Sequence, residues 1–95
     1  MREPSKVLET VKLFKIFSDS TRLRIIALLT EGEYCVRDIC EALTMSQSSI
    51  SHQLKMLRDL NVVKTRREGK NIFYTLQDQH VKELFEIGYA HANEC

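Results

Sequence analysis

The apolar period changes twice along the chain, and those two changes decide what it folds into. Val36, Ile39, Cys40 and Leu43 recur at i, i+3, i+4 and i+7, the spacing of a short helix over 36–43. Thr44-Met45-Ser46 reads as a brief turn ending in a cap. A longer helix from about Gln47 to Leu60 follows, with Ile50, Leu54 and Leu57 on its inner face. The period then falls to two. Val63-Lys64-Thr65-Arg66 and Ile72-Phe73-Tyr74-Thr75-Leu76 are β-branched and aromatic runs separated by Glu68-Gly69-Lys70-Asn71, which predicts a hairpin. Residues 78–93 return to helical spacing. Upstream, residues 5–17 carry Val7, Val11 and Phe14 at helical spacing, with Leu8, Ile16 and Phe17 widening the stripe, and Pro4 stands where helix starts tolerate it. Ser18-Asp19-Ser20-Thr21 is rich in capping residues and opens a second helix with Ile25, Leu28 and Leu29 inward, closed by Gly32. Four helices, a hairpin and a final helix make a mainly α fold with a small β-hairpin, a winged helix-turn-helix, over a single domain spanning 1–95.

A chain of 95 residues buries a modest share of its surface, so an extra interface would add stability. No apolar run approaches the roughly 18 residues that span a bilayer, and Met1-Arg2-Glu3-Pro4 lacks the apolar stretch of a signal peptide. A cytoplasmic location without a membrane partner is expected. Three cysteines, Cys35, Cys40 and Cys95, form an odd set without a disulfide-like pattern, as in a reducing compartment. The net charge of +1 conceals a segregation. Residues 55–70 hold six cations (Lys55, Arg58, Lys64, Arg66, Arg67, Lys70) against Asp59 and Glu68. Residues 77–95 hold Asp78, Glu83, Glu86 and Glu94 against Lys82 alone. A basic middle and an acidic, histidine-bearing end imply two surfaces with different partners.

The basic middle coincides with the helix-turn-helix. Gln47, Ser51, Lys55 and Arg58 fall at i, i+4, i+8 and i+11, with Ser48 and His52 alongside, giving the second helix a polar outer face. Such a face suits the major groove of double-stranded DNA: Gln pairs with adenine, Ser with several base edges, Lys with guanine or phosphate. Arg66, Arg67 and Lys70 near the hairpin tip would reach the phosphate backbone as a wing, adding affinity but little sequence choice.

The acidic end carries a different pattern. Asp78 and His80 open the final helix; His91 and Glu94, three apart and so on one face, close it. Eleven residues at 1.5 Å each put His80 and His91 roughly 16 Å apart, too far for one ion whose ligands stand at about 2.0–2.2 Å. A second, antiparallel copy of the helix removes the difficulty. His80, Leu84, Ile87 and His91 form one stripe at i, i+4, i+7 and i+11, so Leu84 and Ile87 would pack at a two-fold axis with His80 of one chain opposite His91 of the other. The pairs Asp78/Glu94 and His80/His91 share nearly the same sequence midpoint, near Phe85 and Glu86, so one axis serves both. Two interfacial sites per homodimer result, each with two imidazoles and two carboxylates, a set suited to zinc or cobalt rather than to thiolate-seeking ions. Asp78 also stands where it would cap the helix.

From about Leu13 to Cys95 the chain resembles the ArsR/SmtB family of metal-sensing repressors, and its zinc-sensing branch in particular. The residues that carry the resemblance are Phe17-Ser18-Asp19-Ser20-Thr21-Arg22-Leu23-Arg24-Ile25, Ser49-Ile50-Ser51-His52-Gln53-Leu54-Lys55, and Asp78-x-His80 with His91-x-x-Glu94. The resemblance implies a dimeric repressor that holds operator DNA without metal and releases it on binding zinc. It implies Asp78 and His80 of one subunit and His91 and Glu94 of the other as ligands, and a hydrogen bond from metallated His91 toward the backbone near His52. Cadmium- and lead-sensing relatives carry a Cys-x-Cys where this chain has Cys35-Val36-Arg37, so that thiolate site is broken here; Cys40 is expected in the core and Cys95 as a frayed end. Two other readings stand beside this one: a thiol- or persulfide-responsive repressor of the same fold using Cys35 or Cys95, and a metal-independent protein-interaction winged helix. Neither a nucleophile–base pair nor a pocket-forming motif points to an enzyme or a small-molecule substrate.

Overall fold

Several helix boundaries in the computed structural model, which describes residues 2–94, are set by local devices that the sequence supplies. Helix α1 (Pro4–Phe17) starts on its proline, where the missing N–H costs nothing. Helix α2 (Ser20–Leu29) is capped by Asp19, whose carboxylate accepts the Arg22 N–H at 3.0 Å. It ends at Thr30, before Gly32 is reached. Gly32 instead turns the chain at φ 151° into a strand that periodicity did not reveal, β1 (Tyr34–Cys35). Helix α3 (Val36–Leu43) follows at once and is closed by Thr44 in the left-handed region at φ 55°. Helix α4 (Gln47–Asp59) is capped by Ser46, whose hydroxyl accepts the Ser49 N–H at 3.2 Å.

Strands β2 (Val63–Glu68) and β3 (Asn71–Leu76) pair antiparallel from Val63↔Leu76 to Glu68↔Asn71, longer than the predicted runs. Gly69 takes φ 63° at the first position of the two-residue turn, the demand of a type II′ hairpin. The two-stranded hairpin of the sequence reading becomes a three-stranded sheet in the order β1-β3-β2, because Tyr34 pairs with Tyr74 and Cys35 with Phe73. A two-residue strand carries no period to read, so only the partner reveals it. Helix α5 (Gln79–Ala92) is capped by Asp78, whose Oδ1 accepts the Val81 N–H at 3.2 Å.

The core gathers Ile25, Ile26 and Leu29 of α2, Ile39 of α3, Ile50, Leu54 and Leu57 of α4, and Val62 and Val63 at the sheet entry. Leu28, expected inside, packs only partly and Ile26 takes its place. Each fully buried Leu or Ile contributes about 1.5–3 kcal/mol, so α2, α3 and α4 are welded into one unit under the sheet. The terminal helices are held by fewer anchors: α1 buries only Ile16 and α5 only Val81. Among the described residues no helix is long and apolar enough to cross a membrane.

Candidate functional site

Two surfaces gather the sequence-predicted residues, and they lie on different elements. The first is the outer face of α4 with the hairpin beyond it. Burial of Ile50, Leu54 and Leu57 fixes the roll of α4 and leaves Gln47, Ser48, Ser51, His52, Lys55 and Arg58 all exposed. From beneath, Arg22 of α2 donates from Nε to Gln53 Oε1 at 2.9 Å and from Nη2 to Met56 Sδ at 3.4 Å. Arg24 donates to the Leu43 carbonyl at 3.2 Å and so holds the end of α3. These two arginines position both helices of the helix-turn-helix, a role that reading the sequence missed. Their signal was a pair of cations inside an otherwise apolar helix. Lys55 pairs with Asp59 at 3.1 Å, an exposed contact on the helix surface.

On the hairpin, Arg67 and Lys70 are exposed near the tip. Arg66 is held differently. Its guanidinium forms a two-pronged pair with Glu33 at 2.8 and 2.9 Å, reaches Glu68 at 2.7 Å, and lies 4.9 Å above the Phe73 ring. The Arg66 hydrogen bonds hold the Glu33 carboxyl below its ordinary range.

The second surface is α5. At its start, Asp78 Oδ1 stands 3.7 Å from His80 Nδ1; at its end, Glu94 Oε2 stands 3.8 Å from His91 Nδ1. The side chains of His80 and His91 are 93% and 88% exposed, so both imidazoles face away from their own chain. The structure therefore brings Asp78 to His80 and Glu94 to His91 without joining the two pairs. Among the described residues of one chain no three His, Cys, Asp or Glu side chains converge. Neighbouring ligands of a tetrahedral zinc at about 2.0–2.1 Å lie about 3.3–3.4 Å apart, so the His91–Glu94 pair at 3.8 Å is within a few tenths of an ångström of that spacing. Asp78 spends Oδ1 on the helix cap, and Oδ2 is the oxygen left for a ligand role. The donor set and spacing fit half of a mixed nitrogen–oxygen site at each end of the helix.

Helix α5, which carries both pairs, and helix α1 also leave apolar surface uncovered. Val7, Leu8, Val11 and Phe14 of α1 are 41–64% exposed, and Ile87 and Tyr89 of α5 are 68% and 62% exposed. Phe14, Phe17, Leu84, Phe85 and Tyr89 line a groove of about 360 Å³ between them. Single exposed apolar residues are ordinary, but an apolar groove shared by two helices that leave further apolar side chains exposed marks a candidate interaction surface. Cys35 and Cys40 are free thiols and half-buried, Cys40 against the core. Cys95 lies outside the described residues.

Comparison with known proteins gives a consistent picture. The pattern describing bacterial regulatory proteins of the arsR family matches residues 19–65. The chain is 41% identical over 88 residues to a cadmium resistance transcriptional regulatory protein CadC homolog of Staphylococcus aureus, covering 92% of this chain and 73% of that one. It is 38% identical over 86 residues to a transcriptional repressor SmtB homolog of Synechocystis sp., covering 90% of this chain and 65% of the relative. Among solved structures, the homodimeric winged helix-turn-helix DNA-binding domain of Mb0332 from Mycobacterium bovis superposes with a TM-score of 0.87 at 28% identity, over 99% of this chain and 89% of that one.

Proposed function

The chain belongs to the arsR family of bacterial regulatory proteins, and from that premise we propose that it is a cytoplasmic, homodimeric repressor that binds operator DNA and releases it on taking up zinc. As a member of a family of transcriptional regulators it is not an enzyme. The observation that carries the reading is the pair of exposed half-sites at opposite ends of α5, each a histidine and a carboxylate under 4 Å apart. Each is incomplete alone, and the helix that carries both leaves Ile87 and Tyr89 exposed for a second copy to cover.

In this reading α1 and α5 form the dimer interface, with Leu84 and Ile87 near the two-fold axis. Asp78 and His80 of one protomer then face His91 and Glu94 of the other, twice per dimer. Zinc, or cobalt, would supply a divalent charge that draws two carboxylates and two neutral imidazoles together across that interface. Those four residues tie the two α5 helices at both ends and bias the dimer toward one relative orientation of its α4 helices. The α4 residues Gln47, Ser48, Ser51, His52, Lys55 and Arg58 read the major groove, and Arg67 and Lys70 meet phosphates beside it. Couplings between two such sites run to about 1–3 kcal/mol, enough to shift operator affinity by about five- to over a hundredfold.

The relative from Staphylococcus aureus is named for cadmium resistance. Here Arg37 stands two residues after Cys35 where a second thiolate would be needed, while the α5 donors are nitrogen and oxygen, a combination that favours zinc over the softer ion. The experiment is a DNA-binding titration with zinc, cobalt and cadmium, on wild type, His80→Ala and a chain whose three cysteines are replaced by serine. Zinc-driven release kept by the cysteine-free chain and lost in His80→Ala supports the reading. Release lost with the cysteines transfers sensing to the thiols, and binding without salt dependence removes DNA altogether.

A further inference from the structure

Given the DNA-binding reading above, we infer that Arg66 is not a phosphate contact of the wing but a positioning residue that fixes the wing's angle to the helix-turn-helix. Arg66 on β2 stands opposite Phe73 on β3, and Phe73 stands opposite Cys35 on β1. These three positions form one row across the whole sheet. Glu33 lies two residues before Cys35, so by strand alternation it belongs to the same face. The guanidinium spans that row: it lies over the Phe73 ring at 4.9 Å and closes on both oxygens of Glu33 at 2.8 and 2.9 Å. Glu68, two residues further along β2, takes Nη1 at 2.7 Å.

Charge decides the role. One guanidinium set between two carboxylates makes a cluster with more negative than positive charge, and a phosphate brought to Arg66 would meet both acids. Phosphate attraction therefore falls to Arg67, which points to the other face of β2, and to Lys70 at the turn. The connection behind Glu33 explains why the grip matters. Cys35 is both the last residue of β1 and the N-cap of α3. A clamp from the middle of β2 to Glu33 thus ties the wing to the segment from which the helix-turn-helix begins. A two-pronged arginine–carboxylate contact sets direction as well as distance, which a single lysine contact would not.

The test uses the full-length dimer and a duplex that the wild type itself selects from a random-sequence pool. Arg67→Ala and Lys70→Ala should each reduce the slope of log affinity against log salt by about one, as lost phosphate contacts do. Arg66→Ala should leave the slope unchanged while weakening binding by roughly two- to fivefold, the scale an exposed ion-pair network can transmit. Glu33→Ala removes a negative charge yet should weaken binding to the same extent. The charge-swapped chain carrying Glu33→Arg and Arg66→Glu should recover it. Amide exchange at Tyr34 and Cys35 should quicken in both single variants, with α4 unchanged. A slope reduced by one in Arg66→Ala, stronger binding by Glu33→Ala, or unaltered exchange at Tyr34 and Cys35 overturns the positioning role. A wild type that selects no duplex sinks the DNA-binding reading itself, and the positioning role with it.

Discussion

Helices α4 and α5 are nearly the same length, 13 and 14 residues, yet they finish their packing in opposite ways. On α4 the three apolar positions Ile50, Leu54 and Leu57 are wholly buried and every candidate DNA-reading side chain is exposed. On α5 only Val81 is buried, while Ile87 and Tyr89 stand more than 60% exposed on a helix that also carries the two histidine–carboxylate pairs. One helix is complete within its own chain and can offer a rigid polar face. The other is half of something. A reader of DNA gains from rigidity, since its side chains must keep register with a groove; a sensor gains from an interface whose geometry a small ligand can change.

That contrast is broken most forcefully at Ile87. Ile87→Glu should leave the folded monomer intact but remove two apolar side chains from each dimer, at about 1.5–3 kcal/mol apiece, and place two like charges near the axis. Sedimentation should show a monomer, and the thermal midpoint should lose its dependence on protein concentration. A dimer that survives Ile87→Glu would show that α5 is not the half-interface. Leu54→Ala tests the completed helix, with an expected loss of about 2–5 kcal/mol in urea unfolding. There the deficit belongs to the chain itself and should be the same at every protein concentration at which dimerisation is held constant.

Legibility in the sequence follows the same division. Helix α4 was read to within a residue because a full stripe of Ile50, Leu54 and Leu57 is packed inside one chain, where period and burial coincide. Asp19, Ser46 and Asp78 were legible as caps because capping is a local act. Strand β1 was not, since Tyr34-Cys35 becomes a strand only through its pairing with Phe73 and Tyr74 across the sheet. Gly32 drew the predicted end of α2 too far along, because a left-handed glycine serves a turn as well as a helix end. The approach of His91 to Glu94 was legible from their i, i+3 spacing. The grips of Arg22 on Gln53 and of Arg66 on Glu33 join residues more than thirty positions apart, and no periodicity records such contacts.

Smaller effects sharpen the comparison at the level of charge. His91→Ala should keep operator affinity and lose zinc-driven release, a coupling of about 1–3 kcal/mol measured by titrating metal into the protein–DNA complex. Zinc binding itself should weaken on acidification, because an imidazole must be neutral to act as a ligand. Acid acts on the wing with its own sign. Glu33 titrates lower in the folded chain than in the unfolded one, so its contribution is fully present above the ordinary carboxylate range and is lost as pH falls through the depressed value. Glu33→Gln should flatten that part of the acid-unfolding curve, an effect kept small by the exposure of the pair.

The smallest predicted change in stability separates two duties carried by a single side chain. Asp78 Oδ1 caps α5 through the Val81 N–H, and the same carboxylate stands beside His80. Asparagine caps a helix about as well as aspartate, so Asp78→Asn should alter unfolding by no more than a few tenths of a kcal/mol, whereas Asp78→Ala should cost about 1 kcal/mol. A neutral amide does not replace an anionic oxygen as a zinc ligand, so both variants should lose zinc-driven release alike. If Asp78→Asn responds to zinc as the wild type does, Asp78 is a cap and nothing more, and the N-terminal half-site must be drawn without it. If the two variants part in stability but both lose zinc-driven release, Asp78 serves α5 as a cap and the ion as a ligand, two separable duties of one carboxylate.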